Sequence, residues 1–199
     1  MMNLLETLNR AWFLSLNAQP GAPGWLMTFA TVCAQYLLYV IPVILLAYWF
    51  LGGKAGHRTA LFTLATVLAA LGLGFICSVI YFHPRPFMIP LGHSWIFHAP
   101  ETSFPSDHAT LFFSTAFSLL VSRAFITGTL VLVLSLLVAW SRVFLGVHFP
   151  LDMAGAATVA ALACVLVKPA WFWWSDALTA LCEAVSGKLF SWLPARFTP

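Results

Sequence analysis

Apolar residues in this chain come in long runs separated by short polar breaks. Trp25 to Leu51, Thr59 to Phe82, the Pro105-Ser106 step to Ser122, Phe125 to Phe144 and Pro150 to about Val167 are each almost wholly hydrophobic or small. About 20 such residues in a helix cover the roughly 30 Å of bilayer hydrocarbon, so the pattern predicts five membrane-spanning helices. Pro42 predicts a kink in the first. Ala65, Ala69 and Gly72 predict the face on which the second meets a neighbour. The short break at Ser122-Arg123 makes the third and fourth spans an antiparallel pair, and Pro150 suits the first turn of the fifth.

The two ends of the chain follow another pattern. Leu4, Leu5, Leu8, Trp12 and Leu16 recur at helical spacing over residues 3–17, too few to span and suited to lying along a membrane surface. After Lys168-Pro169 come Trp171, Trp173 and Trp174, then Leu178, Leu181, Cys182, Val185, Leu189 and Trp192 on one helical face opposite Asp176, Glu183 and Lys188. The expectation is an all-α integral membrane protein, a bundle of five helices (six if the tail crosses) with amphipathic interfacial helices at both termini. Residues 1–168 form the membrane-embedded domain and 169–199 a Trp-rich tail.

Composition strengthens this reading. Of 199 residues, 61% are hydrophobic and 8% charged, and the mean hydropathy is +0.93, more apolar surface than a soluble core of this size can bury. The nine basic residues make no stripe, so a nucleic-acid partner is not expected. Cys33, Cys77, Cys164 and Cys182 lie far apart without zinc-ligand spacing. No basic-then-apolar leader precedes Pro20, so the first spanning helix is expected to direct insertion. Lys54, Arg58, Arg123, Lys168, Lys188 and Arg196 fall on one side of the five-span layout, which the positive-inside rule makes cytoplasmic.

The remaining polar residues gather on the other side in three clusters: His83-Pro84-Arg85-Pro86, Phe104-Pro105-Ser106-Asp107-His108, and Ser141-Arg142 through His148 to Asp152. Ionisable residues at membrane helix ends are costly and mark function. Ser106 is a natural N-cap, and the free backbone N–H groups of residues 106–108 at a positive helix end form an anion site. Arg85 and Arg142 add planar forks matched to phosphate oxygens, and Ser141 adds a hydroxyl. His148 and Asp152, four apart, allow the carboxylate to hold Nδ1–H and leave Nε2 free as a nucleophile. With His108 as acid, these groups supply what phosphoryl transfer needs; no metal or other cofactor is required. The intervening loop, residues 83–104, carries four prolines with His93, Trp95, Phe97 and His98, an interfacial belt or a lid over the site.

These residues resemble the type 2 phosphatidic acid phosphatase superfamily, whose signature is Lys-x6-Arg-Pro, Pro-Ser-Gly-His and Ser-Arg-x5-His-x3-Asp. The third part is matched by Ser141, Arg142, His148 and Asp152. The second has Asp107 in place of glycine, and the first is matched only in Arg85-Pro86, with Ser78 at the lysine position. Both departures resemble the bacterial undecaprenyl-diphosphatase branch associated with bacitracin resistance. The resemblance implies that His148 attacks phosphorus, Asp152 orients it and His108 serves as acid and then base. Arg85, Ser106, Arg142 and the backbone at Asp107 would hold the phosphate, with His83 a candidate substitute for the lysine. It further implies an enzyme of the bacterial cytoplasmic membrane, active site outward, that takes a polyprenyl diphosphate lipid and recycles the carrier of cell-wall synthesis. Another lipid phosphatase, a lipid phosphotransferase, or a non-catalytic lipid-binding or transport protein stands as an alternative.

Overall fold

The computed structural model describes residues 4–191, which form seven α-helices and no strands. Asn3, Trp192 and Arg196 lie outside the described residues. The helices are α1 (Leu4–Leu16), α2 (Gly24–Gln35), α3 (Val40–Leu51), α4 (Gly53–Ile80), α5 (Asp107–Val121), α6 (Phe125–Phe144) and α7 (Pro150–Leu189). Helices α2 and α3 are one apolar span broken by a 3₁₀ turn at Leu37–Tyr39. The break falls one turn before Pro42, where the missing N–H and the ring displace the preceding carbonyls.

By length and composition the α2–α3 unit, α4, α6 and α7 can each cross a bilayer. Helix α5 has 15 residues, about 22 Å at 1.5 Å per residue, and sits packed among α4, α6 and α7. Its Phe112, Ala116 and Leu119 are wholly buried, while the outward faces of the surrounding helices carry Ile80, Ile126 and Phe172 almost fully exposed. Such a rim would be untenable in water and suits lipid. The protein is an all-helical membrane protein.

Two details differ from the sequence-based expectation. The inward face of α4 is Ala60, Thr63, Val67, Ala70 and Gly74, whereas Gly72 faces open space. Thr63 accepts a hydrogen bond from the Ser118 hydroxyl of α5 at 3.1 Å, so polar contact as well as small size selects the face. The second difference is that α7 does not end at Lys168-Pro169 but runs on to Leu189, a helix of 40 residues in all, about 60 Å long. Its second half is held to the start of α4: Trp171 packs on Phe62, Asp176 pairs with Arg58, and Glu183 meets His57 Nδ1 at 2.7 Å. These contacts offset the hydrogen bond lost at Pro169.

The bundle has two chemically distinct ends. Arg58, Ser122 and Lys168 line one small cavity where α4, α5 and α7 meet. The α4–α5 loop, the N-terminus of α5, the C-terminus of α6 and the N-terminus of α7 meet at the other end, over a core of Phe13, Phe113, Val143 and Phe149. Helix α1 is docked at this second end. Its Asn9 side chain accepts from the Leu151 N–H at 3.0 Å, capping a free donor in the first turn of α7, and its Phe13 ring meets Phe149 edge-on.

Candidate active site

The loop carrying His148 is fixed before any catalytic contact is counted. Gly146 has φ +82°, and a Cβ there would collide with the His93 carbonyl, so only glycine fits. Buried Asn17 donates from Nδ2 to the carbonyls of His93 (2.9 Å) and Phe144 (3.0 Å) and accepts from the His93 N–H (2.7 Å). Trp95 adds a backbone bond to the Leu145 carbonyl. Thus α1, the long 81–106 loop and the α6–α7 turn are joined, and His148 stands on a rigid platform.

His148 is buried and engaged on both ring nitrogens. Nδ1 lies 2.9 Å from the Ser103 carbonyl and 3.3 Å from Asp152 Oδ2, and Nε2 lies 3.0 Å from Arg85 Nη1. A guanidinium can only donate, so Nε2 must be the lone pair and Nδ1 the N–H. Burial, with Arg142 and Arg85 acting the same way, pushes the ring down to about 3, so it is neutral at any ordinary pH. Asp152 Oδ2 also accepts from the Phe149 N–H at 2.7 Å and from the Ser103 hydroxyl. The tautomer is thereby set from both sides.

The arginines occupy different positions. Arg85 also donates to the Val147 carbonyl at 3.0 Å. Arg142, 2% exposed, has Nε and Nη2 buried without a protein hydrogen bond among the described residues. Buried guanidinium donors of this kind suit an anion. Ser106 is the N-cap of α5, its Oγ facing the Ala109 N–H at 3.5 Å, and its own N–H points toward the Asp152 carbonyl at 3.5 Å. His108, on the first turn, is half-buried and shares its electrostatic surroundings with Arg142, His98 and Arg85.

Asp107 is exposed and, with Arg85, Glu101 and Ser78, lines a cavity of about 600 Å³ whose far wall is Leu71 and Phe75 of α4. One side of this cavity is charged and the other apolar, as an amphiphile requires. The Ser78 hydroxyl is spent on the Phe75 carbonyl at 2.7 Å.

His83, Arg85, His148 and Asp152 are therefore brought together, with Arg142, Ser106, Asp107 and His108 around them. Ser141 differs: its hydroxyl donates to the Val138 carbonyl within α6 at 2.8 Å and offers no proton to the site. His83 faces Asp152 and α1 rather than the arginines. Sequence reasoning missed Ser103, which no spacing marks, and Glu6, whose only signal was its charge four residues before Arg10. His98 was legible only as one of the loop aromatics. Its ring stands edge-on to His148 with centroids 6.1 Å apart, and burial together with Arg85 lowers its basicity, while Phe97 next to it points outward, 93% exposed. Among the described residues, no three His, Cys, Asp or Glu side chains are grouped to hold a metal ion.

The chain is similar to known proteins in sequence and in fold. The PAP2 superfamily model matches residues 58–176. The Escherichia coli (strain K12) protein YbjG is 35% identical over 169 residues, covering 84% of this chain and 85% of its own. The undecaprenyl-diphosphatase BcrC of Bacillus subtilis (strain 168) is 32% identical, covering 80% and 79%. The bacitracin transport permease protein BcrC of Bacillus licheniformis is 31% identical, covering 83% and 79%. Among solved structures, LpxE of Aquifex aeolicus superposes with a TM-score of 0.63 at 21% identity, covering 80% of this chain and 93% of that one. A PAP2-type phosphatidylglycerolphosphate phosphatase of Bacillus subtilis gives 0.61 at 24%, covering 84% and 86%. With Arg85, His108, Arg142, His148 and Asp152 gathered at one end of a membrane bundle of this fold, the chain belongs to the PAP2 superfamily, among its undecaprenyl-diphosphatase-like hydrolases.

Proposed function

We propose that the protein removes the terminal phosphate of undecaprenyl diphosphate on the extracytoplasmic face of the membrane, through a phosphohistidine at His148. The observation that carries this reading is the state of the His148 ring, with Nδ1–H held by Ser103 and Asp152 and Nε2 presented as a lone pair beside Arg85. Nε2 attacks the terminal phosphorus in line while the bond to the bridging oxygen breaks. Arg85, Arg142 and the free N–H groups at the start of α5 take the charge on the equatorial oxygens. His108 protonates the departing lipid monophosphate, then takes a proton from the water that attacks the phosphohistidine. Inorganic phosphate leaves and His148 returns to its starting form.

Three further observations support the reading. The cavity beside Arg85 pairs a charged wall with the apolar face of α4, which fits a lipid diphosphate. The BcrC protein of Bacillus subtilis, similar over most of the chain, is named for this activity. The bases at the opposite end of the bundle, Lys54, Arg58, Arg123 and Lys168, favour a cytoplasmic position for that end and an outward site. The similar protein named as a bacitracin transport permease raises a non-catalytic alternative, but such a protein has no use for a buried nucleophile whose tautomer is fixed from both sides.

The test is phosphate release by purified protein in detergent from undecaprenyl diphosphate, phosphatidylglycerol phosphate, diacylglycerol diphosphate and phosphatidic acid, with and without chelator. Preference for the polyprenyl diphosphate, undiminished by chelator, is expected. A strong preference for phosphatidic acid, or activity that chelator abolishes and magnesium restores, would reject the substrate or the metal-free mechanism.

A further inference from the structure

Helix α1 carries one charged pair, Glu6 and Arg10, and it is turned toward the active-site end. Arg10 Nε donates to Glu6 Oε1 at 2.6 Å, and Glu6 Oε2 lies 3.3 Å from His83 Nε2. The other nitrogen of His83, Nδ1, lies 3.5 Å from Asp152 Oδ1. That oxygen is the one on Asp152 without a hydrogen-bond partner among the described residues; Oδ2 takes the bonds from Phe149, Ser103 and His148.

The imidazole of His83 is flanked by two aromatic rings. It stacks on Tyr81 at 5.9 Å and lies 5.2 Å from the Phe149 ring. Its backbone N–H donates to Thr102 Oγ1 at 3.0 Å and its carbonyl accepts from the Ser103 N–H at 2.7 Å. A ring between two carboxylates can donate to both only as the imidazolium, because neutral imidazole has one N–H. A cavity of about 450 Å³, lined by Leu5, Glu6, Arg10, Tyr81 and Phe104 among others, reaches His83 and Asp152 from the side away from His148. Solvent protons therefore have a route to the ring.

We propose that His83, held by Glu6, is a positioning residue for the nucleophile: as imidazolium it fixes Asp152 from behind, so that Oδ2 stays directed at the Nδ1–H of His148. This rests on His148 being the nucleophile, and it gives the N-terminal helix a part in the reaction that extends the His148–Asp152 pair. The charged and titratable groups facing His83 are Glu6 and Arg10 from α1, Asp152 from α7, Tyr81 from its own segment and, beyond Asp152, His148. The Asp152 carboxylate 3.5 Å from Nδ1 raises the basicity of His83 against the effect of burial, and Glu6 adds to the rise. The imidazolium is thus favoured to higher pH than in a free imidazole, and it is lost as pH rises further.

The test uses full-length protein in detergent and three variants, His83→Gln, His83→Lys and Glu6→Gln. The turnover number and KM for undecaprenyl diphosphate are measured against pH, and the ring tautomer of His148 is read by nitrogen NMR of histidine-labelled protein. His83→Gln should lower kcat by about 10–100-fold, by analogy with the loss of a carboxylate partner behind a metal-ligating histidine, with KM little changed and the alkaline limb of the profile gone. His83→Lys should keep a neutral-pH rate and move that limb upward; Glu6→Gln should move it downward. In wild type the His148 ring should be a single Nδ1–H tautomer, and in His83→Gln a mixture. An unchanged tautomer, or an unchanged limb in all three variants, would overturn the proposal. Should His83→Gln melt below the assay temperature, the isosteric Glu6→Gln carries the same comparison. If wild type cleaves none of the lipid phosphates, the substrate reading fails while the tautomer still decides this one.

Discussion

Arg85 Nη1 lies 3.0 Å from Nε2 of His148, the atom that would attack phosphorus. The contact does two things. It fixes the tautomer, since a guanidinium cannot accept, and it keeps a cation where the terminal phosphate must come. The bond to Nε2 has to be exchanged for one to a phosphate oxygen as attack begins, while the bond to the Val147 carbonyl can hold the arginine in place.

Arg85→Ala should therefore reduce kcat/KM by about 10²–10³-fold, the scale of one lost donor to a developing charge. Arg85→Lys should recover only part, because an ammonium lacks the planar fork. Steady-state kinetics on both variants checks this, and equal rates for Lys and Ala would mean that charge alone contributes nothing there.

His148 and Asp152 act as one unit. Asp152→Asn keeps the shape but can no longer hold Nδ1–H as a carboxylate does, and a loss approaching about 10⁴-fold in kcat is expected by analogy with a serine-protease triad. Thermal melting of the same variant should be reported beside the rate, since Asp152 also accepts from Phe149 N–H and Ser103.

The buried ring of His148 also makes stability depend on pH. Its titration point is about 3 in the fold against 6.5 in the free chain, so unfolding takes up a proton between those values. The sign follows: this contribution is constant above pH 6.5, erodes as pH falls from 6.5 toward 3, and is flat below. Melting curves of His148→Gln should show a shallower acid decline than wild type over that window; an equally steep decline would mean that other groups account for it.

Much of this was legible before any coordinates. The span from about Phe125 to Phe144 was read from hydropathy and is α6, Ser106 was read as a cap from its type and place, and the spacing of His148 and Asp152 was read as a pair across a helix start. Other features were not legible, for physical reasons. The direction of the Ser141 hydroxyl depends on a choice between a carbonyl in its own helix and the site. The continuation of α7 through Pro169 depends on ion pairs and ring contacts to α4, more than a hundred residues away in sequence. Ser103 and Glu6 act through distance in space, and neither lies at a period or motif position.

The platform beneath the site gives an independent check on the fold. Asn17→Ala would leave the carbonyls of His93 and Phe144 and the N–H of His93 without their partner. A destabilisation of about 1–3 kcal/mol is expected, with a fall in kcat as the His148 turn loosens. Denaturation in detergent read by circular dichroism measures the first, and no change would place the turn's rigidity elsewhere.

Orientation is tested by labelling. In a cysteine-free background, a cysteine at exposed Ser94, in the loop over the site, should react with an impermeant thiol reagent in intact cells, and one at exposed Ala55, at the opposite end, should not. The reverse pattern would place the site on the cytoplasmic side.

The central claim is that His148 carries the phosphoryl group. Undecaprenyl diphosphate labelled in its terminal phosphate, mixed rapidly with enzyme and quenched without acid, should leave label on protein that is stable to base and lost in acid, as a phosphohistidine is. His108→Ala should turn over about 10²–10⁴-fold more slowly and accumulate label, because water attack has lost its base, and His148→Ala should carry none. Label on His148→Ala, or wild-type turnover by that variant, would contradict the assignment.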